Sequence, residues 1–198
     1  MAAAPGLENG PGAAQPGAMN VQSEKPLPET TGPAEFRVLF VCTGNTCRSP
    51  MAEHILRHEL AAAGLSASVR SAGLRVRSEG APADPRAQHV LGTRGVAIEH
   101  SARMFDPAMF GLYDLIIALD SQHEWVLRRV APDAEAAARV RLLGSFGPAA
   151  DAGWEVPDPV GGDLADYERT LRLISTAMPG LLAAVRAATG NAADRGRG

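Results

Sequence analysis

Val41-Cys42-Thr43-Gly44-Asn45-Thr46-Cys47-Arg48-Ser49-Pro50 joins an apolar run, residues 36–41 (FRVLFV), to a segment of helical spacing that starts at Ser49. Strand, tight loop and helix in that order curl backbone N–H groups and a helix N-terminus around one point. A tetrahedral oxyanion such as phosphate fits there. A thiolate at the base of such a ring is stabilised by the same field, which marks Cys42 as a candidate nucleophile. Arg48 supplies a planar fork that can hold two phosphate oxygens. Gly44 and Asn45 tolerate the left-handed backbone a curled loop needs. Ser49 is suited both to hydrogen-bond the thiolate and to cap the helix, and Pro50 suits the first helical turn. Thr43, Gly44, Asn45, Thr46, Cys47, Arg48 and Ser49 are thus the candidate phosphate-binding residues. A lone cysteine is more often a small buried side chain; the residues around Cys42 are what argue for catalysis.

Beyond the loop, strand and helix signals alternate, as a parallel sheet requires. Residues 49–63 predict the first helix, with Ile55, Leu56, Glu59 and Leu60 at helical spacing and Gly64 as a stop. Residues 67–72 predict a short strand, and 85–94 a helix ending at Gly95. Residues 115–119 are nearly uniformly apolar, as in a strand covered on both faces. Residues 121–130 follow as a helix with Ser121 as N-cap, and 140–143 as the last strand. Residues 163–188 predict a long closing helix whose Leu164, Tyr167, Leu171, Ile174 and Met178 form an apolar stripe for the core. Pro179 is expected to kink it or end its first half.

Composition fits a globular domain with tails. Of the 198 residues 45% are hydrophobic, enough for a core, and no run approaches the ~18 apolar residues of a membrane span. A net charge of −3 gives no reason to expect nucleic-acid binding. The only two cysteines lie in one loop, which is not a disulfide framework and points to a reducing, cytoplasmic setting. Residues 1–34 are rich in Ala, Gly, Pro and Glu and read as a disordered extension, either solvated or regulatory. They lack the basic start and apolar core of a secretory signal, and Met19 is an alternative start. The domain is expected over 35–189, and the Gly-rich 190–198 as a flexible tail. The histidines at 54, 58, 89, 100 and 123 do not form a ligand set, so neither metal nor cofactor is expected.

The loop and its flanks resemble the low-molecular-weight protein tyrosine phosphatase family. Four further stretches match in order: Ser71-Ala72-Gly73, residues 80–84, residues 114–120 (DLIIALD), and Val156-Pro157-Asp158-Pro159. The resemblance covers about residues 36–188. It implies an α/β fold with a central parallel sheet of about four strands, helices on both faces, and the phosphate loop between the first strand and first helix. It also implies two-step hydrolysis of phosphorylated proteins through a cysteinyl-phosphate, by a monomer.

The chemistry needs an acid on a separate loop to protonate the leaving group. From the residues alone, Asp158 between two prolines reads either as that acid or as a turn aspartate; the resemblance implies the general acid. Cys47 is either a small buried side chain or, as the resemblance implies, a trap that captures oxidised Cys42 as a disulfide. The resemblance also implies that Ser71 supports the loop by hydrogen bonding toward Asn45, with Ser49 in the same network. Asp120 reads equally as a strand-end cap or a support to the loop.

Substrate choice stays open. Tyrosine-directed family members carry aromatic walls at positions that here align with Arg77, Val160 and Gly161. Stacking worth roughly 0.5–1.5 kcal/mol per ring is lost with them. Thr46 stands where those members carry a bulky aliphatic. CTGNTCRSPMAE and Asp-Pro-x-Gly-Gly look more like the bacterial protein arginine phosphatase branch, and a hydroxyl at Thr46 can meet a guanidinium N–H. A thioredoxin-coupled arsenate reductase uses the same loop but relies on further cysteines that this chain lacks. A non-catalytic phosphate-binding module would not need nucleophile, arginine and acid together.

Overall fold

A computed structural model describes residues 36–148 and 153–195; the expected N-terminal extension, with Met19, lies outside the described residues. The apolar run becomes strand β1 (Arg37–Cys42), every residue from Val38 to Val41 fully buried. It lies inside a four-stranded parallel sheet of order β2-β1-β3-β4, with β2 at Ser68–Gly73, β3 at Leu115–Ala118 and β4 at Val140–Leu142. Alternate β1 residues point to opposite faces. Val38, Phe40 and Cys42 join one core with helices α1 (Arg48–Ala62), α2 (Pro85–Gly92) and α5 (Leu164–Arg195). Leu39 and Val41 join the other, which holds Leu127 of α3 (Ser121–Val130) and Ala136 of α4 (Ala134–Ala138). Burial on both faces is why β1 and β3 lack the polar alternation of a one-sided sheet.

From β1 the chain first adds β2 on one side, then crosses to add β3 on the other. The crevice at a parallel sheet's carboxyl ends opens where the strand order reverses in this way. Residues 43–47 sit there, between the end of β1 and the start of α1.

Several boundaries moved for identifiable reasons. Ser121 is not the cap of α3: Asp120, in extended conformation, accepts from the His123 backbone N–H at 2.8 Å. Ser49 does not cap α1, which starts at Arg48 with Cys47 as N-cap and no side-chain cap bond. Helix α2 ends at Gly92, short of Gly95. Pro179 does not end α5, which runs on past residue 189, where the domain was expected to stop. That helix is long and apolar enough in composition to cross a bilayer, which a search for unbroken apolar runs misses. Here Tyr167, Leu171, Ile174 and Met178 bury as the stripe predicts, whereas Leu164 is exposed. Gly180 lets α5 approach closely: a Cβ there would collide with the Phe146 carbonyl of the 3-10 turn Leu143–Phe146. That turn, another at Pro107–Gly111 and α4 were not anticipated, although Asp106 and Asp133 cap the last two as the sequence could have signalled.

Candidate active site

Cys42 ends β1 with its thiol buried at the floor of a cleft of about 390 Å³. Its Sγ lies 2.9 Å from Ser49 Oγ and accepts from the Asn45 backbone N–H at 3.3 Å. The Asn45 side-chain amide donates to Ser49 Oγ at 3.0 Å and to Ser71 Oγ at 2.8 Å. Ser71 in turn donates to the Glu53 carboxylate, and Glu53 pairs with Arg57. The Ser49 hydroxyl has two acceptors within reach for its proton, Cys42 Sγ at 2.9 Å and the Ala72 carbonyl at 3.5 Å, of which Cys42 is the nearer. The Asn45 N–H and the Ser49 hydroxyl thus both converge on the sulfur.

Asn45 is the residue that sets the curl. It carries φ 55°, the sole positive φ outside glycine among the described residues. Gly44, expected to share that conformation, does not. Buried Asn45 is held from three sides: Oδ1 accepts from the Arg103 N–H at 2.9 Å, and its carbonyl accepts from His100 Nε2 at 2.6 Å. Burial pushes the His100 pKa down, so a neutral ring protonated at Nε2 makes that bond.

Arg48, almost fully buried, brings two acids together. Nη1 donates to Asp120 Oδ2 at 2.7 Å and to the Val156 carbonyl at 3.3 Å. Nη2 donates to Asp158 Oδ2 at 2.6 Å and to Thr43 Oγ1 at 3.3 Å. Both readings of Asp120 therefore hold: it caps α3 and anchors Arg48. Burial raises the pKa of its carboxyl, but the His123 ring and backbone N–H and the Arg48 guanidinium outweigh this and hold it well below the usual carboxylate range. Asp158 is reached through the Val156 N–H, bonded at 2.8 Å to the Leu119 carbonyl at the end of β3. Its side chain remains 43% exposed, open to a ligand in the cleft. Buried His123 contacts the loop through Nε2, 2.9 Å from Thr43 Oγ1. Its Nδ1 is 2.9 Å from Asp120 Oδ1 without hydrogen-bond alignment.

Cys47 is buried at the edge of the same cleft, 3.4 Å from the Tyr167 hydroxyl. Burial pushes its thiol pKa up, and it pushes up the Tyr167 phenol as well. Both cysteines are free thiols. Thr46, Arg77, Asp84 and Val160 line the cleft around Cys42 and Asp158; Gly161, the other aligned wall position, does not.

Sequence reasoning missed a strut beside the site. The Asp84 N–H bonds the Thr46 carbonyl at 2.8 Å, and its carboxylate pairs with Arg86 at 2.8 Å. Arg86 lies over the Tyr167 ring, 4.6 Å from its centre, and donates to the Gly162 carbonyl at 2.7 Å. It thereby ties the phosphate loop to the turn that follows Asp158. The hydrogen bond from Arg86 holds the Asp84 carboxyl below its ordinary range. The signal was Asp-Pro-Arg at 84–86, legible as a helix start but not as a strut. Glu53, His100 and His123 were also missed: the two histidines reach the loop from far along the chain, and Glu53, inside α1, acts through Ser71.

A buried thiol under converging donors, beside an arginine fork and a partly exposed carboxylate, is suited to displacing a group from a tetrahedral oxyanion. On this sheet the arrangement defines a cysteine-dependent phosphatase. Residues 37–191 match the family model described as Low molecular weight phosphotyrosine protein phosphatase, and the chain belongs to that family. A low molecular weight protein-tyrosine-phosphatase of Streptomyces coelicolor is 47% identical over 154 residues, 76% of this chain and 94% of the relative. The protein-arginine-phosphatase of Bacillus subtilis is 32% identical over 136 residues, 67% and 85% of the two chains. Among solved structures, a variant of the YwlE arginine phosphatase with a phosphorylated active-site serine superposes with a TM-score of 0.70 at 28% identity, covering 76% of this chain and 96% of that one. The chain is accordingly a phosphoprotein phosphatase.

Proposed function

We propose that Cys42 attacks phosphorus while Arg48 and the N–H groups of residues 43–48 hold the equatorial oxygens. The bond to the leaving atom breaks as Asp158 delivers a proton to it, leaving a cysteinyl-phosphate. The Asp158 carboxylate then takes a proton from water, whose oxygen attacks phosphorus and frees phosphate and the Cys42 thiolate. Phosphate competes with Asp158 for Nη2 of Arg48. Binding therefore releases the acid toward the leaving atom. The observation that carries this reading is the convergence of Ser49 and Asn45 on Cys42 Sγ, with Arg48 bridging to Asp158. The phosphorylated serine in the YwlE variant supports a covalent intermediate at the matching position.

Phosphotyrosine is the first substrate reading, supported by the 47% identity to a tyrosine phosphatase. Phosphoarginine is the second, favoured by Thr46 in the cleft and by Arg77 and Val160 where aromatic walls would stand. The deciding experiment is turnover of matched phosphotyrosine and phosphoarginine peptides beside a Cys42→Ser control. A tenfold kcat/KM preference, about 1.4 kcal/mol in transition-state binding, assigns the substrate. Wild type no faster than the control on either peptide rejects the reading.

A further inference from the structure

A second depression, of about 510 Å³, opens beside the catalytic cleft. Its walls are mostly apolar and come from three parts of the chain: Leu74 after β2, Phe105 and Pro107 around the start of a 3-10 turn, and Val126 and Val130 on α3, where Gln122 and His123 add polar atoms. Thr43 and Arg75 line both spaces. The Arg75 N–H bonds the Thr43 carbonyl at 2.8 Å, so the divide between them is a single hydrogen-bonded ridge.

A phosphorylated side chain seated over Cys42 brings its own polypeptide onto this rim. An extended chain advances about 3.3–3.6 Å per residue, so a neighbour one or two places away passes over the ridge. Arg75 and Arg77 are exposed there and form no ion pair among the described residues. Their charge draws a phosphopeptide toward the rim, while Leu74, Phe105, Pro107, Val126 and Val130 make most of the groove beyond hydrocarbon.

We propose that this groove is a substrate subsite that takes an apolar side chain lying within two residues of the phosphorylated one. The inference rests on the phosphoprotein reading of Cys42 and deepens it: the enzyme selects sequence as well as the phosphorylated residue. The test uses phosphopeptides carrying leucine or asparagine at each position from two before to two after the phosphorylated residue. At one position leucine raises kcat/KM about tenfold, the order expected for burying a leucine-sized side chain. Val126→Asp abolishes that preference. So does Val130→Lys, placed at the exposed end of α3 where a cation suits the helix terminus. Turnover of p-nitrophenyl phosphate, too small to reach the groove, is the reference and stays at the wild-type level. Normal peptide turnover with no leucine preference at any position overturns the subsite alone, as does a preference that survives both variants. Turnover of p-nitrophenyl phosphate without turnover of any phosphopeptide overturns the phosphoprotein reading and the subsite with it.

Discussion

Ser49 shows how one hydroxyl governs the reactivity of a neighbour. Its hydroxyl lies 2.9 Å from Cys42 Sγ, nearer than its other acceptor, the Ala72 carbonyl, and a hydrogen bond to a charged group contributes about 1.5–3 kcal/mol. Ser49→Ala is therefore expected to lower kcat by roughly 10–100-fold, with thiol alkylation by iodoacetate slowed in parallel; unchanged alkylation would show that the hydroxyl does not stabilise the anion. Cys47 poses a redox question at the same scale. It is a buried thiol whose pKa is pushed up, so it stays protonated while Cys42 reacts. Peroxide-inactivated wild type should recover activity with dithiothreitol, and Cys47→Ser should recover less. Equal recovery removes the trapping role. The sequence marked Cys42, Arg48 and Ser49 as candidates because their spacing carries the chemistry locally, whereas it offered Asp158 as the candidate acid only through the family resemblance. It could not reveal that His100 and Arg103 hold Asn45, since no local pattern encodes a bond to a residue more than fifty positions away.

At the scale of elements, two residues at helix starts, Asp120 and Arg86, act as joints between parts of the site. Asp120 joins β3, α3 and the phosphate loop, and its carboxyl is held in the ionised form. A carboxyl with a depressed folded pKa stabilises the fold above its unfolded pKa, about 3.9, and loses that contribution as pH falls through the folded value. Asp120→Asn should thus lower the urea midpoint at pH 7, with the gap from wild type closing as pH drops below about 4; a constant gap would point to packing instead of charge. Arg86 acts as the second joint, between α2, Tyr167 and the turn after Asp158. Its loss should loosen the acid more than the nucleophile. Arg86→Gln is expected to depress kcat strongly for phenyl phosphate, whose leaving group needs a proton, and little for p-nitrophenyl phosphate. Equal loss on both substrates would assign Arg86 a purely structural part. Asp120 was legible as a strand-end cap or loop support and Arg86 only as part of a helix; what they connect was not, because a local pattern specifies the turn and leaves the partner across the crevice unspecified.

For the whole molecule, the sheet order puts the phosphate loop at the reversal between β1 and β3, and α5 closes one core over the loop's flank through Tyr167. Gly180 permits that closure by letting the helix backbone meet Phe146. Gly180→Ala should therefore cost about 1–3 kcal/mol of stability through forced displacement, read as a lowered urea midpoint; a gain, as ordinary helix propensity would give, would show that the approach is not tight. Periodicity and the loop spacing determined by themselves the α/β class, the order of strands and helices, and the candidate nucleophile and arginine, because each depends on neighbours within a few residues; they left Asp158 open between an acid and a turn aspartate. The tertiary structure alone decided that Asp120 and Asp158 share one guanidinium, that Asn45 and not Gly44 takes the left-handed turn, and that an apolar groove lies beside the cleft. These depend on contacts between segments tens of residues apart, which are fixed only when both cores close on the two faces of the sheet.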